Sequence, residues 1–128
     1  MFAFLPVFSL LACGQTITVD VQTDGCEDFD FDEPAESEVG SSWEGDGNAS
    51  VWRTSVVLEG SNLAFDPKIE ASGASIKVSE LFTGEPNGTS FCYQPTVLIG
   101  GVTSGVEVQW FTEDDAAVPF TTIKVEPE

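Results

Sequence analysis

Residues 16–21 read Thr16-Ile17-Thr18-Val19-Asp20-Val21, a regular alternation of polar and apolar side chains. Successive side chains of a β-strand point to opposite faces, so this stretch predicts a strand with one apolar and one polar face. The same alternation returns around Ile76 and Val78, and again in residues 106–110. Helical periodicity is almost absent, so the chain is predicted to be all-β.

Shorter apolar stretches lie between turn-forming residues. They comprise Phe29 and Phe31, Val51 to Leu58, Leu63 and Phe65, Phe91 to Ile99, and Phe120 to Val125. Their spacing predicts an antiparallel β-sandwich of about seven or eight strands, immunoglobulin-like in architecture. Asn87-Gly88 is the strongest hairpin signal, because both residues tolerate positive φ. Pro95 predicts an edge position or a break in the strand pair, and residues 66–82 predict a loop or one short helical turn followed by a strand.

The composition indicates one folded and strongly acidic domain. Of the 128 residues 41% are hydrophobic, which is enough for a core, and 22 acidic against 4 basic side chains give a formal net charge of −18. Such a surface repels phosphate backbones, so nucleic acid is not an expected partner, whereas basic partners or divalent cations complement it. The chain has no histidine. That absence removes Ser-His-Asp and Cys-His catalysis and every zinc site that needs histidine, and we expect no enzyme activity.

Residues 1–12 form an apolar leader that is followed directly by Cys13. The leader is too short to span a bilayer, which needs about 20 residues, but it has the length of the apolar region of a secretory signal peptide. Leu10-Leu11-Ala12-Cys13 resembles the bacterial lipobox, the site at which a lipoprotein signal peptide is cleaved before a lipid-modified cysteine. No Lys or Arg precedes the apolar run. Either the true start codon lies upstream, or the leader is not functional and is a buried first strand or helix with a chance cysteine.

The resemblance to bacterial lipoproteins implies a signal peptide over residues 1–12 and a single exported domain over residues 13–128. It also implies a lipid on Cys13 that anchors the domain to the membrane in the cell envelope. Gly14 at the next position fits onward sorting to the outer membrane. Because only Gly14 and Gln15 separate Cys13 from the first predicted strand, we expect the domain to lie close to the bilayer.

The three cysteines are consistent with export. Lipid attachment to Cys13 leaves Cys26 and Cys92, and an even pair in an oxidising compartment predicts a disulfide. A bridge across that long loop stabilises the fold by about 4 kcal/mol in the chain-entropy model. The alternative is two unrelated free thiols, which would be unusual in an exported protein.

An acidic stretch supplies one candidate ligand site. Asp28, Asp30 and Asp32 alternate with Phe29 and Phe31, so a strand would place the three carboxylates on one face. Carboxylate oxygens are calcium ligands, although the spacing does not match an EF-hand loop. The stretch is therefore either a Ca²⁺ site or a solvated strand face whose charge discourages edge pairing.

Trp43 is the candidate ligand-binding residue. It lies in a stretch rich in glycine, serine and acids, Gly40 to Gly45, where a loop is predicted and a large ring is less expected. It either closes the end of the sandwich or is an exposed recognition residue. Trp52 and Trp110 occupy alternating strand positions, which predicts that both pack in the core.

Together these features predict a non-catalytic lipoprotein of the cell envelope that needs no cofactor. Its role would be structural or in recognition, through contact with an envelope protein or a polysaccharide. One alternative is a calcium-dependent carbohydrate-binding or adhesion module. A second alternative is a small carboxylate-dependent hydrolase, which would need two acids at a defined separation across a cleft.

Overall fold

The computed structural model describes residues 8–12, 15–27, 29–60, 62–72, 74–102, 104–115 and 117–127. Within these ranges the chain forms strands and no helix, so the all-β prediction is confirmed. The strands are β1 (Phe8–Ala12), β2 (Gln15–Gly25), β3 (Val39–Gly45), β4 (Asn48–Arg53), β5 (Val56–Glu59), β6 (Ala64–Phe65), β7 (Lys68–Ser72), β8 (Ser75–Ser79), β9 (Phe82–Thr83), β10 (Ser90–Gly100), β11 (Val106–Phe111) and β12 (Thr121–Val125).

The strands form two main sheets. The six-stranded sheet has the order β1-β2-β10-β4-β3, and β5 also pairs with β10, beyond the end of β4. The four-stranded sheet has the order β12-β11-β8-β7. All pairs in the larger sheet are antiparallel, whereas β8 and β11 in the smaller sheet are parallel. β6 and β9 pair with each other in a separate two-stranded sheet.

Apolar side chains from both main sheets meet in one core. Its buried members include Ile17, Val19, Val51, Val97 and Ile99 from the larger sheet, and Ile76, Val78, Val106, Val108 and Trp110 from the smaller one. The alternation predicted for β2, β8 and β11 is therefore confirmed, since the polar residue between each pair of core residues is only half-buried. Full burial of each such Val or Ile stabilises the fold by about 1.5–3 kcal/mol relative to exposure.

Pro95 marks a break in a strand pair, as the sequence predicts, although it does not lie in an edge strand. It lies buried in β10, a central strand, opposite Thr23 of β2. On its other side β10 changes partner there, because β5 pairs with it up to Tyr93 and β4 begins to pair at Thr96. The missing N–H of proline therefore falls at a gap in the ladder and removes no strand hydrogen bond.

The apolar run from Val51 to Leu58 forms two strands instead of one. β4 ends at Arg53 and β5 begins at Val56, and Ser55 between them has a φ of 57°. A positive φ is incompatible with a continuing strand, so the chain steps from one pairing segment to the next along the same side of β10.

Several other local predictions were wrong. The Phe29–Phe31 alternation is not a strand, because Phe31 is 52% exposed and no described residue between β2 and β3 belongs to a strand. Residues 66–82 contain β7 and β8 and no helical turn among their described positions. Asn87-Gly88 links β9 to β10, which are not paired with each other. The tight hairpin instead joins β3 to β4, where Gly45, Asp46 and Gly47 have φ values of 87°, 52° and 78°.

The leader is only partly described. Residues 8–12 form β1, which pairs antiparallel with residues 15–19 of β2. Residues 1–7 and Cys13 lie outside the described residues, so cleavage and lipid attachment remain predictions. Twelve strands are present among the described residues, more than the predicted seven or eight.

Candidate binding face

The most distinctive surface of the molecule is the side of the six-stranded sheet that faces away from the core, called the outer face below. Since Ile17, Val19 and Val21 point into the core, the alternate residues of β2 point outward, and the register extends this assignment across the sheet. The outer face consists of Thr18, Asp20, Gln22 and Asp24 of β2, Gln94, Thr96, Leu98 and Gly100 of β10, Ser50 and Trp52 of β4, and Gly40 and Ser42 of β3.

Trp52 lies on the outer face and not in the core, which corrects the sequence prediction. The core positions of β4 belong to Ala49 and Val51, and Trp52 is half-buried. Its strand partners are Thr96 on β10 and Gly40 on β3. This position accommodates an indole because its partner on β3, Gly40, has no side chain.

The indole of Trp52 rests against the backbone of Gly40. A Cβ atom at Gly40 would lie 2.7 Å from both Cε2 and Nε1 of Trp52, a separation at which one of the two must move. The ring therefore covers the space above β3 that any other residue would fill. The indole is nevertheless only half-buried, so part of it remains accessible.

The indole N–H of Trp52 has no acceptor in the described part of the chain. In that same part no buried side-chain nitrogen or oxygen lacks a hydrogen-bond partner. The Nε1 atom is therefore accessible to solvent. Trp52 thus presents both an open aromatic surface and a free donor, which a core tryptophan normally does not.

Hydroxyl and amide side chains surround Trp52. One row across the sheet consists of Gln22, Thr96, Trp52 and Gly40, and the next consists of Asp20, Leu98, Ser50 and Ser42. The hydroxyl group of Thr96 donates to Oδ2 of Asp24 at 3.2 Å. The outer face therefore combines one large aromatic ring with groups that both donate and accept hydrogen bonds.

Depressions lie at both ends of the outer face. One of about 310 Å³ is lined by residues that include Thr18, Asn48, Leu98 and Gly100. At the other end, depressions of about 250 Å³ and 520 Å³ lie beside Gln94, close to the bridge at Cys26. Trp52 lies between the two ends. The depressions are therefore spaced along β10 and do not form a single deep cleft.

The basic residues of the chain all lie away from the outer face. Arg53 points inward to Glu80, and Lys68, Lys77 and Lys124 belong to β7, β8 and β12 of the four-stranded sheet. There Lys77 lies over the Phe111 ring at 4.7 Å, and Lys68 lies 3.4 Å from Glu70. The outer face is consequently neutral to acidic, while the opposite surface of the protein carries charges of both signs.

The other predicted site residues lie apart from this face. Trp43 belongs to β3, not to a loop; it is half-buried and packs against the core opposite Ala49. Asp30 and Asp32 are exposed in the segment before β3, where the N–H of Asp32 donates to Oδ1 of Asp30, and Asp28 lies outside the described residues. Among the described residues no group of three His, Cys, Asp or Glu side chains could hold a metal ion.

The predicted disulfide is confirmed. Cys26 and Cys92 form a bridge with a Cα–Cα distance of 5.4 Å, and the N–H of Cys26 also donates to the carbonyl of Cys92. The bridge joins the end of β2 to the first part of β10. The bridge lies at one border of the outer face, because Asp24 on β2 and Gln94 on β10 are each two residues from a bridged cysteine.

A buried polar network beneath the outer face was not predicted from the sequence. Nη1 of Arg53 donates to both carboxylate oxygens of Glu80, and Nε1 of Trp110 donates to Oε2 at 2.8 Å. Nε of Arg53 donates to the hydroxyl of Ser37. Both oxygens of the buried Glu80 carboxylate thus accept at least one hydrogen bond. This network is structural, since neither charge is available to a ligand.

The signal that identifies the outer face is present in the sequence but easily missed. In Asn48-Ala49-Ser50-Val51-Trp52-Arg53 the small apolar residues alternate with serine and tryptophan, so one face holds Ala49 and Val51 and the other holds Trp52. Size and hydrophobicity alone favour the wrong face for Trp52.

No described helix is long and apolar enough to cross a membrane. Compared with known proteins, the chain matches no protein-family model, no curated protein and no solved structure.

Proposed function

We propose that the protein is a non-catalytic lipoprotein of the cell envelope whose exported domain acts as a recognition module. The observation that carries this proposal is the bridge between Cys26 and Cys92. Stable disulfides belong to oxidising compartments, so the bridge supports export. It also accounts for two of the three cysteines and leaves Cys13, directly after the apolar leader, as the single residue available for lipid attachment.

The strand arrangement also fits removal of residues 1–12. Cleavage before Cys13 would remove β1, and β4 and β5 can be counted as one interrupted strand because both pair with the same side of β10. Without the two-residue strands β6 and β9, eight strands then remain in two facing sheets. This count supports a β-sandwich of the immunoglobulin-like type for the exported domain, with the parallel β8–β11 pair as its departure from a fully antiparallel arrangement.

Recognition, and not catalysis, is the role that the surfaces favour. The depressions at the two ends of the outer face are separate, and their lining includes carboxylates, Asp20 and Glu44 at one end and Asp24 and Glu27 at the other. A glycosidase-type mechanism would need two carboxylates at a defined separation across a cleft. An outer-membrane location, expected from Gly14, would place the module where envelope proteins and polysaccharides are both accessible.

The experiment that tests the anchor is the intact mass of the protein extracted from membranes. We expect the loss of residues 1–12 and the gain of acyl chains on Cys13. The matched control is Cys13→Ser, which removes the acceptor thiol and should leave the protein unacylated and outside the membrane fraction. An unmodified chain that still begins at Met1 would refute the anchor and with it the envelope location.

A further inference from the structure

We propose that the outer face binds a neutral glycan chain, with Trp52 as the stacking platform. This inference rests on the proposed function, because it names the surface and the ligand class through which the recognition module would act. It depends on three features of the outer face, namely the orientation of Trp52, the polar groups around it and the sign of the local charge.

The orientation of Trp52 suits a flat, partly apolar ligand. The backbone of Gly40 lies against the indole, and Trp52 is only half-buried, so part of its surface stays accessible. A pyranose ring has an apolar face of C–H groups, and covering that face with an aromatic ring removes apolar surface of both partners from water. The free N–H of Trp52 at the ring edge supplies a donor for a ring or hydroxyl oxygen of the sugar.

The neighbours of Trp52 match the hydroxyl groups of a sugar. Thr96 lies beside Trp52 in the register, and the half-buried amide of Gln22 completes the row on β2, whereas Ser50, two residues before Trp52 on β4, is buried like Thr96. Hydroxyl and amide groups donate and accept hydrogen bonds, as sugar hydroxyls do. The carboxylates of Asp20 and Asp24 add acceptors only, and hydrogen bonds to a charged acceptor are the stronger kind.

The charge of the outer face excludes acidic ligands. Its ionisable groups are Asp20 and Asp24, with Glu44 in the depression at one end, and no lysine or arginine belongs to it. A uronic-acid polymer, a phosphorylated glycan or a nucleic acid would be repelled by these carboxylates and by the net charge of −18. A neutral glycan meets no such repulsion.

The shape of the surface favours an oligosaccharide over a single sugar. Gln94 and Gly100 lie six residues apart on β10, which corresponds to about 20 Å along an extended strand. Trp52 lies between the depressions at the two ends.

The test uses the exported chain, residues 13–128 with the disulfide intact, in native gels that contain one soluble polysaccharide each. The neutral probes are hydroxyethylcellulose, mannan and mixed-linkage β-glucan, and the acidic probe is polygalacturonate. We expect at least one neutral polysaccharide to retard the protein and polygalacturonate not to do so. Trp52→Ala should weaken the retardation about tenfold or more, which corresponds to 1.4 kcal/mol.

Two further variants test whether the outer face is the binding site, independently of the class of ligand. Gln22→Ala removes one amide without disturbing the core, and it should weaken retardation several-fold if the outer face is the site. Trp43→Ala removes an indole from the opposite side of the same sheet and should leave retardation unchanged. Circular dichroism of each variant establishes that it has folded.

Three outcomes would overturn the proposal. Retardation that survives Trp52→Ala but disappears in Trp43→Ala would move the glycan site away from the outer face. Retardation by polygalacturonate alone would reverse the ligand charge. If none of the neutral polysaccharides retards the protein, the glycan class is wrong, whereas the envelope lipoprotein itself stands or falls on the separate measurement of acylation at Cys13.

Discussion

Arg53 and Glu80 form a buried ion pair between the two main sheets, with Nη1 at 2.6 Å from Oε1 and 2.9 Å from Oε2. Arg53 ends β4 of the larger sheet, and Glu80 follows β8 of the smaller one. The Glu80 side chain is 5% exposed and that of Arg53 is 16% exposed. The chain has only four basic residues, and one of them forms this contact between the two main sheets.

Glu80→Ala should destabilise the protein by about 3–5 kcal/mol, because it leaves the Arg53 guanidinium buried without its counter-charge. It also removes the acceptor for the indole N–H of Trp110. Urea denaturation followed by circular dichroism measures the change. Glu70→Ala is the matched control, because its pair with Lys68 is exposed and should contribute less than about 1 kcal/mol. Equal effects of the two substitutions would contradict a structural role for the Glu80 pair.

Cys92→Ser should lower the free energy of unfolding by about 2–4 kcal/mol, since it removes the cross-link to Cys26. Reductant should have the same effect on the unsubstituted protein and no further effect on the variant. Thermal or urea denaturation with and without reductant measures both. The same stability under both conditions would count against a bridge in the native protein.

Tyr93→Phe should destabilise the protein by about 1–3 kcal/mol, the cost of leaving buried polar groups unpaired. The Tyr93 hydroxyl donates to the carbonyl of Gly60 and accepts from the N–H of Leu63 at 3.1 Å, so it holds the loop between β5 and β6. Hydrogen exchange should show faster exchange of the Leu63 amide in the variant. Unaltered exchange there would mean that the loop is held by other contacts.

Gly40→Val should displace the Trp52 indole from the sheet, because its Cβ would lie 2.7 Å from the ring. We expect changed tryptophan fluorescence and loss of glycan retardation, with a destabilisation of about 1–3 kcal/mol from overpacking. The control is Gly25→Ala, whose Cβ would make an ordinary contact of 3.6 Å with the Phe91 ring. If Gly40→Val binds glycan as strongly as the original protein, the supported orientation of Trp52 is not needed for recognition.

The strands that could be predicted are those in which apolar and polar side chains alternate with a period of two. Ile17, Val19 and Val21 have polar neighbours throughout, and all three are buried as the alternation required. Phe29 and Phe31 alternate equally well, yet they are not in a strand. Their rings contact each other edge-on at 4.8 Å within a loop, so local alternation does not suffice where no partner strand is available.

The candidate site was harder to predict because it depends on pairings between distant strands. The cysteine pair needed only a parity argument, and it was correct. Trp52, in contrast, is placed on the outer face by the core positions of its neighbours and is supported by Gly40, which comes from another strand. Arg53 is placed by Glu80 in the same way, at a sequence separation of 27 residues. Pairings at such distances follow from the register and not from local composition.

The central strands β10 and β11 both come from the last third of the chain, and this sets the order in which the protein can assemble. β2 has β10 as its partner toward the middle of the larger sheet, and β8 has β11 as its parallel partner in the smaller one. A chain that emerges N-terminus first cannot complete the larger sheet until residue 100 is free to pair, or the smaller sheet until residue 125. Because such long-range pairing is slow, both main sheets stay open until the last third of the chain arrives, and oxidation of Cys26 with Cys92 marks the point at which β10 has been delivered.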